Sequence, residues 1–125
     1  MSEAERAVFE LVGARCAPDL TWLRAGADLD LATVDTGRRE LGARCAEPIR
    51  WLLVKIGADC FVDLRGVRML RDATRTLCGR GATLLIISDS PLLRRVLHNL
   101  DLDGDLPLRG SAREAQEEVD RNGHR

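Results

Sequence analysis

Tyrosine is absent, and the other aromatics are scarce: two Trp and two Phe in 125 residues. A surface that stacks on nucleobases needs aromatic faces. The formal net charge of -1 also gives no field that would gather nucleic acid or an anionic membrane. Direct nucleic-acid binding is therefore not expected. No apolar run approaches the ~20 residues of a membrane span, so no membrane insertion is expected either. The opening MSEAERAVFELVG is acidic early and lacks the basic start and long apolar centre of a signal peptide. A cytoplasmic protein is the expectation.

Histidine is nearly as scarce, with only His98 and His124. The four cysteines, Cys16, Cys45, Cys60 and Cys78, form no C-x-x-C pair and have no neighbouring His ligands. That pattern excludes a zinc site and reads as scattered free thiols. No phosphate-cradling glycine loop occurs. No nucleophile stands beside an oriented base. The chain is read as a non-enzyme that needs no metal and no cofactor.

What is present is a soluble-domain composition, 45% hydrophobic and 31% charged, in a chain long enough for one core. Ala7 to Val12 and Leu20 to Leu29 read as strands, separated by a turn at Pro18-Asp19. Asp35 to Ala46 places Leu41 and Cys45 at i, i+4, a short amphipathic helix with Thr33 as N-cap. Ile49 to Ile56 is a nearly continuous apolar run, the mark of a central strand covered on both faces. Leu64 to Cys78 carries Val67, Leu70, Ala73 and Leu77 at helical spacing and is stopped by Gly79 and Gly81. Thr83 to Ser88 is a buried strand. Ser90-Pro91 is a helix start, followed by Leu93, Val96, Leu97 and Leu100 on one face. Leu106 to Leu108 reads as an edge strand and Ser111 to Val119 as a last, polar helix. The alternation implies one α/β domain over residues 7–119, a mixed sheet of four or five strands with helices largely on one side. Residues 1–6 and 120–125 are expected to be disordered tails.

The segment Leu52 to Leu70, LLVKIGADCFVDLRGVRML, resembles without a gap the core signature of the STAS family, the sulfate-transporter and anti-sigma-antagonist domain. That signature is approximately V-V-V-D-L-S-G-V-T-F-L-D-S-S-G-L-R-A-L. Asp28-Leu29-Asp30-Leu31-Ala32-Thr33 is similar to the family's G-E-L-D-L-A-T, and Gly79 to Leu84 is similar to its R-G-G-R-L stretch. Ser88-Asp89-Ser90-Pro91 with Arg94-Arg95-Val96-Leu97 resembles the loop and third helix of sigma-regulating members.

The departures carry the functional expectation. In the family, the second serine of Asp-Ser-Ser-Gly is the usual phosphate acceptor. The resemblance places Arg65 there, between Asp63-Leu64 and Gly66. Asp59 to Leu70 contains no Ser or Thr at all, so the usual site cannot take a phosphoryl group. The strand-end aspartate of the family is replaced by Lys55.

The resemblance implies an anti-sigma factor antagonist-like docking domain. Its partner would be an anti-sigma factor of the serine kinase family, or another STAS-binding protein, and a homodimer is left open. The implied contact residues are Asp63, Leu64, Arg65, Gly66, Arg68, Arg71 and Arg75. The arginines of this set fall at spacings of three, three and four along one helix face. Cys60, beside the loop, is a candidate redox residue. The alternatives are a scaffold subunit of a stressosome-type or lipid-transport assembly and, less favoured, a degenerate two-component receiver domain. The latter lacks the acidic pair that would hold magnesium.

Overall fold

The computed structural model describes residues 6–102 and 104–123. Five strands form one sheet in the order β1-β2-β3-β4-β5. They are β1 (Phe9–Leu11), β2 (Leu20–Ala25), β3 (Trp51–Lys55), β4 (Thr83–Ile87) and β5 (Leu108–Arg109). The edge strand β1 runs antiparallel to β2, and all other pairs are parallel. Parallel neighbours require crossovers, and α1 (Val34–Cys45), α2 (Leu64–Cys78) and α3 (Pro91–Asn99) supply them. A last helix, α4 (Ala112–Gly123), follows β5.

The continuous apolar character of β3 has the expected cause. Leu52, Leu53 and Val54 are all fully buried, because this strand is covered on both faces. Leu52 and Val54 join Leu84 and Ile86 against Val67, Leu70 and Leu77 of α2 and Leu93 and Leu97 of α3. Leu53 points the other way, with Trp22, Trp51 and Leu85, under Ala115 and Val119 of α4. Val54 and Leu85 lie on the neighbouring strands β3 and β4, where Val54 pairs with Ile86 and Leu53 with Leu85. Three helices thus cover one face and α4 the other.

Several boundaries move. The second strand ends at Ala25 rather than Leu29. Beyond it Leu29 keeps only an isolated parallel bridge to Val62. Thr33 precedes α1 but does not cap it. Its hydroxyl is turned back, donating to the Asp28 carbonyl and accepting from the Asp30 N–H. Leu100 is exposed instead of sharing the buried face of α3, which ends at Asn99. The edge strand is Leu108–Arg109, starting two residues and ending one residue later than expected, while Leu106 is fully buried just before it. The final helix runs to Gly123, so residues 120–123 are helical rather than tail. Arg6 is an exposed bend; residues 1–5, 124 and 125 lie outside the described residues.

The end of α2 follows the sequence reading closely. Gly79 is the C-cap, and Gly81 takes φ +79°, a left-handed value that L side chains resist. That turn lets the Ala82 N–H reach back to the Leu77 carbonyl at 2.9 Å and sends the chain into β4.

Candidate docking site at the carboxyl ends of the parallel strands

The loop after β2 and the loop after β3 are tied to each other. The Leu29 N–H donates to the Phe61 carbonyl at 2.8 Å, and the Asp63 N–H donates to the Leu29 carbonyl at 3.0 Å. The Asp28 carboxylate accepts from the Phe61 N–H at 2.9 Å. Three bonds between two loops leave little freedom at the start of α2.

Asp63 then sets that helix. Its backbone is extended, and its Oδ1 accepts from the N–H groups of Arg65 at 2.8 Å and Gly66 at 3.1 Å. Two of the unpaired donors at the helix start are satisfied by one carboxylate, a cap that contributes about 1 kcal/mol. The same carboxylate offsets the Arg65 guanidinium through Oδ2 at 3.5 Å, so the positive side chain at a positive helix end has a local countercharge.

Gly66 explains why the loop can sit this close. A Cβ built there would lie 2.5 Å from the Leu29 carbonyl oxygen and 2.8 Å from the Leu29 Cβ. The helix start is pressed onto the β2–α1 loop, and only glycine leaves the space. Gly66 is buried. It seats the helix and does not itself offer a contact surface.

The expected contact residues therefore divide. Leu64, Arg65, Arg68 and Arg75 are exposed. Arg75 is spanned to Asp105 at 3.7 Å across the surface. Arg71 is half-buried, and its Nε is enclosed without a hydrogen-bond partner among the described residues. It lies at the edge of the apolar face of α2 rather than clear of it, so the exposed basic stripe is narrower than the spacing implied. Asp72, which interrupts the stripe in sequence, is turned away and paired with Arg38 of α1 at 2.9 Å.

A feature that the sequence reading missed surrounds this point. Leu31 is 68% exposed, Phe61 53%, Leu64 43% and Leu92 61%. They come from the loops and helix starts that follow β2, β3 and β4, hence from one end of the sheet. Phe61 and Leu92 border a shared cleft of about 120 Å³, floored by Val62 and Leu93. Single exposed leucines are ordinary, but a rim of them at one end is not. Of the four, only Leu64 was among the expected contact residues.

Cys60 lies in the same loop, half-buried, with its thiol donating to the Ala27 carbonyl at 3.4 Å. Burial, and then the carboxylates of Asp28, Asp59 and Asp30, raise its pKa; the Leu29 backbone N–H works the other way. Reactive cysteines need the opposite setting, an electropositive one that favours thiolate. Among the described residues no group of His, Cys, Asp and Glu could hold a metal ion. No helix among them is long and apolar enough to cross a membrane.

The fold and this end of it define a small α/β domain with a capped helix start that holds Leu64 and Arg65 at the surface. The model of the STAS domain matches residues 12–115. The chain belongs to the STAS domain family. Among solved structures it is similar to an anti-sigma factor antagonist from Mycobacterium paratuberculosis, at 20% identity and TM-score 0.78, covering 90% of this chain and 92% of that one. It is also similar to the Bacillus anti-sigma factor antagonist SpoIIAA in its unphosphorylated form, at 18% identity and TM-score 0.71, covering 90% and 96%. A third is the TM1081 protein of Thermotoga maritima, at 14% identity and TM-score 0.74, covering 98% and 96%. At these identities the likeness is one of fold. No curated protein matches the chain.

Proposed function

We propose that this domain is a non-catalytic regulatory docking module of the anti-sigma factor antagonist kind, and that its partner is an anti-sigma factor of the serine kinase family. Arg65 stands at the family's phosphoacceptor position, where a guanidinium offers no hydroxyl to a kinase. Docking at this loop is therefore not switched off by phosphorylation, and control falls to abundance or to competition between partners.

The observation that carries this reading is the construction of the Asp63–Gly66 turn. Gly66 and the Asp63 cap hold Leu64 and Arg65 outward on a backbone tied to the β2–α1 loop. Preorganised exposed groups bind with less ordering cost than mobile ones. Leu64, Phe61 and Leu92 supply apolar area, at about 25 cal/mol per Å² removed from water. Arg65 and Arg68 add positive charge that selects an acidic partner rim.

The test is to mix the purified chain with anti-sigma kinases of its source cell, with ATP, and follow complex formation and intact mass. A complex without any gain of phosphoryl mass is expected. Ser88 and Ser90 are buried, and the Ser90 hydroxyl caps α3, so the switch has no ready substitute there. Stoichiometric phosphorylation anywhere in the chain would overturn the phosphorylation-blind reading. Failure to bind any such kinase would favour a scaffold subunit of another assembly.

A further inference from the structure

A second cavity lies on the other flank of α3, between that helix and β5, with a volume of about 600 Å³. That is within the range of about 300–1,000 Å³ typical of small-molecule sites. Pro91 and Arg94 of α3 and Pro107, Leu108 and Arg109 of the β5 segment face each other across it, with Arg95 on the same side as Arg94. No acidic residue and no Trp or Phe lines it.

The arginines are not equivalent. Arg109 is held by Glu118 at 2.7 and 3.3 Å, which neutralises it and raises its pKa. The guanidinium groups of Arg94 and Arg95 have no ion-pair or hydrogen-bond partner among the described residues. Several other arginines are matched, as Arg24 is with Glu10 at 2.6 Å and Arg38 with Asp72 at 2.9 Å. Two unmatched guanidinium groups therefore border aliphatic walls.

The chemistry of the lining selects among occupants. A nucleotide would want a broad aromatic platform for its base, and the lining holds no Trp, Tyr or Phe, only the smaller imidazole of His98. An extended acidic peptide would want a sheet edge to lengthen, but β5 spans only Leu108–Arg109. A compact acid with an aliphatic body satisfies both halves of the groove, since guanidinium binds carboxylate through paired N–H donors and the proline and leucine surfaces take the chain. We propose that the α3–β5 groove is a binding site for a small amphipathic carboxylate, its head on Arg94 and Arg95 and its body against Pro91, Pro107 and Leu108. The site is independent of the docking loop. Leu92 and Val96 present the other flank of α3 to the cleft beside Phe61.

Amide shifts of the full chain, titrated with sodium decanoate below its micelle concentration, test this directly. Decanol, inorganic phosphate and GMP serve as the comparison probes. Decanoate is expected to shift α3 and β5 amides, with decanol and phosphate each much weaker. The Arg94→Glu/Arg95→Glu variant should lose about tenfold or more in decanoate affinity, since a charge-assisted hydrogen bond is worth about 1.5–3 kcal/mol. Both side chains are exposed and unpartnered, so the variant should keep the wild-type circular dichroism and melting profile. An Arg94→Gln/Arg95→Gln variant removes the charge without reversing it and should also weaken binding. The proposal is overturned if decanoate affinity is unchanged in both variants. It is equally overturned if GMP binds as tightly and displaces decanoate, or if the groove amides shift with protein concentration alone, which would assign the groove to a second copy of the chain.

Discussion

The two surfaces of interest in this domain are built on opposite plans. At the Asp63 turn nearly every polar group is committed: Asp63 to the helix N–H groups and to Arg65, Asp28 to Phe61, Leu29 to both sides of the β3–α2 loop. What it leaves exposed is apolar, Leu31, Phe61, Leu64 and Leu92. At the α3–β5 groove the reverse holds, since Arg94 and Arg95 are charged and uncommitted over aliphatic walls. A surface with its hydrogen bonds closed and its apolar groups outward suits a shape-matched protein partner. A surface with unmatched charge suits a ligand that brings the countercharge.

The comparison breaks first at Gly66. Gly66→Ala would gain roughly 1 kcal/mol of helix propensity, but its Cβ would strike the Leu29 backbone, which cannot yield as a flexible side chain would. A net loss of about 1–3 kcal/mol is expected from overpacking of this kind, read as a lower urea midpoint with unchanged slope. An unchanged or raised midpoint would mean that the two loops are not pressed together as described.

Asp63→Ala comes next. Loss of the cap should cost about 1 kcal/mol in the same unfolding experiment. Asp63→Asn should retain most of the stability, because its side-chain oxygen still accepts from the helix N–H groups. By contrast Arg94→Ala, in the groove, should shift stability by no more than about 0.5 kcal/mol, as for other surface exchanges. Equal losses at Asp63 and Arg94 would erase the distinction between a built turn and an uncommitted groove.

The charge pattern on α2 gives a smaller, kinetic effect. Arg65→Glu/Arg68→Glu should slow association with an acidic partner while leaving the fold intact, because neither side chain is buried. The wild-type rate should fall as salt rises, since exposed charges are screened over about 8–10 Å. A rate insensitive to both salt and substitution would move the docking face away from α2. Arg71 is left out of this test because its half-buried Nε would confound binding with folding.

The smallest effect concerns thiols. Cys60 has its pKa raised above the ordinary 9.0, chiefly by burial, and Cys45 likewise. A raised folded-state value means that the unfolded chain loses these protons first. Stability from the protonated thiols is complete below about pH 9 and is lost as pH rises through the folded-state values. A Cys60→Ala variant should accordingly show a slightly flatter decline in stability above pH 9. At neutral pH, alkylation of Cys60 by iodoacetamide should be slower than that of the exposed Cys78. Faster modification of Cys60 would restore it as a redox candidate.

Most of this architecture was legible in the residues. The run from Ile49 to Ile56 had to be a doubly covered strand. The heptad-like spacing of Val67, Leu70 and Leu77 had to be one face of a helix. Asp63 two and three residues before exposed N–H groups, and Ser90 before Pro91, were helix starts by their own local chemistry. These are short-range properties, set by side-chain period and by what a single residue can bond within its own turn.

The pairing of the Asp28–Leu29 loop with the Phe61–Asp63 loop was not legible, because it joins residues more than thirty positions apart through backbone groups that every residue carries alike. The same holds for the outward rim of Leu31, Phe61, Leu64 and Leu92. Their apolar character is in the sequence, but their exposure follows only from where three parallel strands end together. Arg71 shows the limit from the other side, since helical spacing put it on the basic face and packing drew its Nε inside. Which segments are strands and helices, and where α2 and α3 begin, could be read from the residues alone, since local hydrogen bonding and burial period decide them. Which apolar residues face solvent and which arginines go unmatched could not, since both depend on neighbours brought together by the crossovers of the sheet.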